Sequence, residues 1–283
     1  MAENTSVTQP IKSNGFTGFH LKMIALITMF IDHVAAVVIW RIYVASYRIT
    51  GSMQISESFR DRIIVWVAEN QDLVYNIYEM MRYIGRMAFP IYCFLLVEGF
   101  LHTRSVKKYA LRLLLFAFIS EIPFDLAIDA KWVSMDYSNV FFTLLLGLLL
   151  IWAVSYIEKF YEFWCEKEWD RFLGTLLVVM AVVVVLAICG GFAEMVLLTD
   201  YGLAGVVAIL SLYLLRRTKE LGFAVAVLAL TVLSSDTEIL ALLMLYPLMK
   251  YNGERGKSIK YVFYAFYPIH LLVLALICMG MGV

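Results

Sequence analysis

Two titratable side chains, Asp32 and His33, stand side by side in MFIDHVAAVV at 29–38, within a stretch otherwise apolar from LKMIALIT to VVIW. A charge at mid-bilayer costs on the order of 2.5–3.5 kcal/mol on insertion scales, so such groups need partners or a wet cavity. Neighbours on a helix point roughly 100° apart, so the two are expected to reach different partners around one cavity. A neutral imidazole suits proton abstraction near neutral pH. It can also carry an acyl group covalently.

Comparable groups recur further on. RYIGRMAFPIYCFLLVEGF places Arg82 and Arg86 on one face, near the outer end of a span where Arg can snorkel. Pro90 is expected to kink that span. Glu98 lies deeper, with His102 one turn on. In FAFISEIPFDLAI, Glu121 and Asp125 share a face, with Pro123 between them. Their like charges call for a cation, and Arg86 at similar depth is the expected partner. Asn139 and Thr143 share a face in SNVFFTLLLG, while Asp200, Asp236 and Glu238 read as interface acids. In KYVFYAFYPIHLLVLALI, Tyr264, Tyr267 and His270 form a stripe beside Pro268, and His270 lies at the depth of His33. Acids can fix a histidine tautomer, and Arg or Asn can stabilise a developing oxyanion. Two histidines plus acids could ligate a metal, but no spacing here supports it, and no metal is expected.

The elements that must position these groups are membrane spans. The chain is 62% hydrophobic and 16% charged, with mean hydropathy +0.81. Soluble domains are nearer 45–50% apolar and about 25% charged. Net charge is +0, which gives no bias toward nucleic acid. Of the cysteines Cys93, Cys165, Cys189 and Cys278, no two have metal-ligand spacing. The polar segment 1–20 does not resemble a cleaved leader, and 21–283 reads as one transmembrane domain.

Apolar runs at 22–41, 84–101, 109–128, 140–157, 172–192, 201–215, 221–234, 237–249 and 260–281 predict an all-α polytopic bundle of about nine transmembrane helices. The pair 221–234 and 237–249 reads alternatively as a re-entrant hairpin. Sixteen of the 23 Lys and Arg residues then fall on one side and seven on the other, which places the N-terminus inside. The outer connection 42–83 carries an amphipathic pattern that suits an interfacial helix or one packed on the bundle.

LKMIALITMFIDHVAAVV, RYIGRMAFPIYCFLLVEGFLHTRSVKKYALRLLLFAFISEIPFDLAI, NVFFTLLLGLL, YNGERG and FYAFYPIHLLVL together resemble the TraX family, over about residues 18–275. The order IDH, GRxAFPIY, EGFxHTR, SEIPFDL, FYPxH is specific where no single motif is. The resemblance implies a transmembrane acyltransferase in the bacterial cytoplasmic membrane. Such an enzyme moves an acetyl group from cytosolic acetyl-CoA to an acceptor on the far side. It implies His33 as the leading catalytic histidine, with Asp32, Glu121, Asp125 and His270 as further catalytic candidates. Arg86, Asn139, Tyr267 and Glu98 are the substrate or oxyanion candidates. The acceptor is open: a pilin-like peptide, a glycan or a small molecule, taken at an amine or a hydroxyl.

A phosphate-bearing donor should dock where inner loops are basic. HTRSVKKYALR and KYNGERGKSIK supply Arg104, Lys107, Lys108, Arg255 and Lys257 for this, with Gly253 and Gly256 permitting close backbone approach. Two other readings accommodate the buried polar groups. A proton-coupled transporter also needs them, but no paired halves are visible. A non-catalytic assembly protein would not require them.

Overall fold

The computed structural model describes residues 15–47, 58–134, 136–164, 199–258 and 260–283, with single positions at 170, 173, 174 and 176. The expected span 172–192 lies almost wholly outside these, as do Cys165, Lys167, Arg171 and Cys189. Among the described residues every named element is helical, and only two isolated β-bridges occur.

The first helix is longer than its apolar core. It runs from α1 (Gly18–His33) through a π-helical segment (Val34–Ile39) into α2 (Trp40–Ser46). Its start is fixed by Thr17, whose N–H donates to His20 Nδ1 at 3.0 Å. After the undescribed 48–57 come α3 (Phe59–Glu69) and α4 (Gln71–Gly85), which continues through a tight turn into α5 (Ala88–His102). The 42–83 connection is therefore shorter than expected, because helix has consumed both of its ends. In α3, Ile64 and Val67 are buried while Phe59 and Trp66 are exposed, so one face packs on the bundle. Pro90 does not kink mid-span. It sits in the first turn of α5, where its missing N–H breaks no bond, and the chain bends at Arg86–Met87 instead.

α6 (Val106–Ile128) begins at Ser105, whose Oγ accepts from the Lys108 N–H at 3.3 Å. At its far end, Arg41 Nη2 donates to the Leu126 and Ala127 carbonyls, both at 2.7 Å. Those last-turn carbonyls have no partner within the helix, and a cation there also suits its dipole. α7 (Val140–Trp164), α8 (Gly202–Leu214) and α9 (Lys219–Leu233) follow. Next come a 3₁₀ segment (Asp236–Met244), α10 (Leu245–Met249) and α11 (Lys260–Met281). The core between α7, α8 and α9 is built on the fully buried Leu148, Ile151, Ile209, Phe223 and Leu230.

Among the described residues four helices are long and apolar enough to cross a membrane: Gly18–Ser46, Gln71–His102, Val140–Lys159 and Tyr261–Met281. The protein is a helical membrane protein. Contacts between helix ends sort into two sets. At one end Phe16 bridges Tyr251, Tyr251 Oη donates to Glu98 at 3.3 Å, and Lys219 lies 5.1 Å over the Tyr251 ring. Nearby in sequence, Arg216 grips both oxygens of Glu158 at 3.0 and 2.9 Å. At the opposite end the Asp200 N–H donates to the Ser138 carbonyl at 3.0 Å, and Arg60 donates to the Gly282 carbonyl at 3.1 Å. α7 joins the two sets, from Ser138 to Glu158.

Sidedness is testable by cysteine labelling after replacement of the native cysteines. Ser134 is a poor site because it is buried, so Val133, which is 66% exposed, takes its place. A cysteine at Val133 should react with an impermeant maleimide from outside, and one at exposed Ser258 only after permeabilisation. The reverse pattern would invert the orientation.

Candidate functional site

The first and last helices meet through two imidazoles. His33 Nδ1 lies 2.7 Å from His270 Nε2, and His270 Nδ1 lies 2.7 Å from the Phe266 carbonyl oxygen. A carbonyl only accepts, so the assigned tautomer of His270 carries its proton on Nδ1. His270 Nε2 then accepts from His33 Nδ1–H. His33 Nε2 keeps a free lone pair.

Packing holds both rings. They stack at 4.9 Å, Phe266 stacks on His270 at 4.7 Å, and Tyr267 meets each edge-on at 5.8 Å. Immediately after His33 the helix widens into its π segment, a local form that often marks functional positions. Its β-branched run Val37–Ile39 lies beyond the imidazole, and Cys278 Sγ contacts the Val37 carbonyl at 3.7 Å.

Asp32 turns the other way. Its Oδ2 accepts from Arg82 Nη1 at 2.7 Å. α4 can approach this closely because residue 85 is glycine: a Cβ there would fall within the Asp32 carboxyl group. One turn on, Arg86 Nη1 donates to Glu238 Oε1 at 3.0 Å, and the Glu238 side chain is fully buried. Neither arginine snorkels away; each is held by an acid from another element. Among the described residues, Asp32 Oδ1, Glu238 Oε2 and Thr143 Oγ1 are buried without a hydrogen-bond partner.

A cavity of about 1240 Å³ joins Asp32, the two arginines and Tyr267, with Glu238 behind its wall. Asp32, His33, Arg82, Arg86, Asp200 and Tyr267 line its middle. Toward one end it meets Trp40, Tyr78 and Tyr137, and toward the other Lys22, Arg104, Lys108, Arg112 and Arg255. Those five cations differ from the arginines above. None has a carboxylate within ion-pair distance among the described residues, while Lys22 and Arg255 stand close enough to repel.

The sequence profile of the family described as "TraX protein" matches residues 18–278. The chain belongs to the TraX family. It is 28% identical over 286 residues to the probable fimbrial assembly protein FimC, serogroup H1, of Dichelobacter nodosus, covering 92% of this chain and 94% of that protein. No solved structure matches.

In this TraX-family chain the expected site residues separate into two groups. Asp32, His33, Arg86, Glu98, Arg104, Lys108, Arg255 and Tyr267 line the cavity, and His270 touches it through His33. Glu121, Asp125 and Asn139 do not line it. Asn139 donates from Nδ2 and from its backbone N–H to Glu121, and Asp125 Oδ2 accepts the Ser134 N–H at 2.8 Å. These acids tie the 129–139 connection to α6. The expected partnership of Arg86 with Glu121 or Asp125 therefore fails. Depth along a span fixes height but not azimuth, and Arg86 faces the 3₁₀ segment. Lys107 and Lys257 likewise stand off the lining. His102 bonds the Glu98 carbonyl at 2.8 Å and not its carboxylate. Lys22, Arg112, Asp200 and Tyr201 line the cavity without having been singled out for it, and Glu238 is no interface acid. Among the described residues no group of three or more His, Cys, Asp or Glu converges for a metal.

The Gly85 contact yields a test. Gly85→Ala should displace Asp32 from Arg82, lowering stability by on the order of 2 kcal/mol, below the range for a fully buried pair because both partners reach the cavity. A thermal melt in detergent measures it, and an unchanged midpoint would refute the close approach.

Proposed function

We propose that this protein is a cytoplasmic-membrane acetyltransferase that takes acetyl-CoA at the inner mouth and delivers the acetyl group to an acceptor entering from the opposite end. The observation that carries this reading is the set of five unpaired cations at one mouth of a cavity leading to His33. Five cations against the one carboxylate of Glu98 favour a polyanion, and a coenzyme with several phosphates meets that demand. Lys22 precedes His33 by eleven residues on one helix, about 16 Å at ~1.5 Å per residue. A donor whose phosphates sit at Lys22 and Arg255 thus needs a long flexible arm to bring its thioester to His33. Pantetheine is such an arm.

The chemistry follows from the assigned tautomers. An acceptor X–H attacks the thioester carbonyl while His33 Nε2 takes its proton. His270 Nε2, accepting from His33 Nδ1–H, stabilises the imidazolium and fixes its orientation. The tetrahedral intermediate collapses, the C–S bond breaks, and the thiolate leaves with the proton from His33. His270 is thus a positioning residue. The name of the Dichelobacter relative, a probable fimbrial assembly protein, favours a pilin-like polypeptide as acceptor.

Calorimetric titration of purified protein with acetyl-CoA tests the reading. Wild type should bind. Lys22→Ala and Arg255→Ala should each weaken binding by about tenfold, or ~1.4 kcal/mol. No binding by wild type would overturn the proposal.

Kinetics separate the histidines. His33→Ala should bind acetyl-CoA normally and release no CoA with acceptor present. His270→Ala should lower kcat by roughly 10²–10⁴, the usual weight of general acid–base catalysis, and displace the pH profile while leaving the KM for acetyl-CoA unchanged. An unchanged pH profile would remove His270 from the dyad.

A further inference from the structure

Acyl transfer from a thioester puts negative charge on the carbonyl oxygen, and His33 does not meet that charge: its Nε2 only takes a proton and returns it. The oxygen needs donors that are oriented beforehand, since these cost no reorganisation when the charge develops. The wall beside Asp32 holds two. Gly85 abuts the Asp32 carboxyl group, and Arg86 is the next residue. Arg86 gives Nη1 to Glu238 and makes no other hydrogen bond among the described residues, although its side chain lines the cavity. Three residues on, the buried Phe89 carries the ring of Tyr201 in a parallel stack, at 3.6 Å and 6°. Behind Tyr201 the packing is closed as well, because a Cβ at Gly205 would collide with Thr143, Phe89 and Tyr201 together. The Tyr201 ring is therefore held from two sides. It lines the cavity, stands close enough to Arg86 and Asp32 to feel both charges, and its hydroxyl makes no hydrogen bond among the described residues. Asp32 in turn adjoins His33. A contact path from base to phenol thus runs through Asp32, Gly85, Arg86 and Phe89.

We infer that Tyr201 is a catalytic residue: its phenolic O–H, with the Arg86 guanidinium, receives the oxyanion of the tetrahedral intermediate. A phenol brings one donor and no charge, and a guanidinium brings a planar fork of N–H groups, so the pair suits an oxygen that is neutral before the reaction and anionic within it. This inference rests on the acetyltransferase reading and adds the group that answers the developing charge. Electrons and protons balance. As the acceptor bonds to the carbonyl carbon, the C=O π pair moves onto oxygen, which accepts from Tyr201 Oη–H and an Arg86 N–H. On collapse that pair re-forms C=O, the C–S pair leaves on sulfur, and the thiolate takes the proton held by His33. Tyr201 keeps its own proton throughout.

Two thioethers that cannot transfer an acyl group isolate the charge. S-carboxymethyl-CoA places an anionic carboxylate close to where the acetyl group belongs, and S-acetonyl-CoA is its neutral isostere. Calorimetric titration of the purified protein reads both without any acceptor. Wild type should bind S-carboxymethyl-CoA about tenfold more tightly than S-acetonyl-CoA, a fraction of the roughly 10²–10³ that one oxyanion donor contributes to kcat. Tyr201→Phe preserves the stack on Phe89 and removes only the hydroxyl. It should abolish most of that preference while leaving the affinity for S-acetonyl-CoA and the melting temperature unchanged. A preference that survives in Tyr201→Phe, or none in wild type, overturns the assignment and leaves the acetyltransferase reading to the acetyl-CoA titration. Equal weakening of both analogues in Tyr201→Phe makes the hydroxyl a packing group and overturns it too. If acetyl-CoA and both analogues fail to bind wild type, the acetyltransferase reading falls and the assignment falls with it.

Discussion

A charge held inside a bilayer must be compensated, and the arrangement of this molecule follows from where compensation is complete and where it is not. Arg82, Arg86 and Arg216 each close on a carboxylate from a different element, which ties α4 to α1, the α4–α5 turn to the 3₁₀ segment, and α8 to α7. These bonds set the walls. The cations without such a partner among the described residues gather at one mouth of a continuous space. Lipid offers helices little hydrophobic reason to associate, so such polar closures and close packing carry much of the specificity.

The histidine pair depends on those walls. His33 can donate to His270 only while α1 and α11 stay in register. The Phe266 carbonyl then decides which nitrogen faces the chamber. One backbone atom on the last helix thereby sets the proton inventory of a residue on the first.

Much of this was legible in the sequence. The membrane class and the helical architecture follow from composition. Asp32, His33 and His270 stood out because polar groups are rare in apolar runs, and the two histidines stood at equal depth, but their contact was not legible. What could not be read was azimuth. Glu121 and Asp125 share Arg86's depth but face a loop, so their partners are Asn139 and Ser134. Pro90 looked central only because the apolar run gave no sign that the helix restarts two residues before it. Glu238 was undervalued because a short apolar run after SSDT looks like an interface. Its full burial depends on a 3₁₀ segment that periodicity does not mark. Lys22 reads in sequence as one more basic residue at a span end, and that no carboxylate among the described residues lies within ion-pair distance of it is a three-dimensional fact.

His33 and His270 are 237 residues apart in sequence, one on the first helix and one on the last. The cation-lined mouth has the same character, since Phe16 pairs with Tyr251. A ribosome-bound chain therefore carries neither half of the site in working form until almost all of it has been inserted. Contacts of this separation close a ring at high entropic cost, late in assembly. A nascent or clipped chain thus has the residues but not the cavity, which closes only when the first and last helices meet.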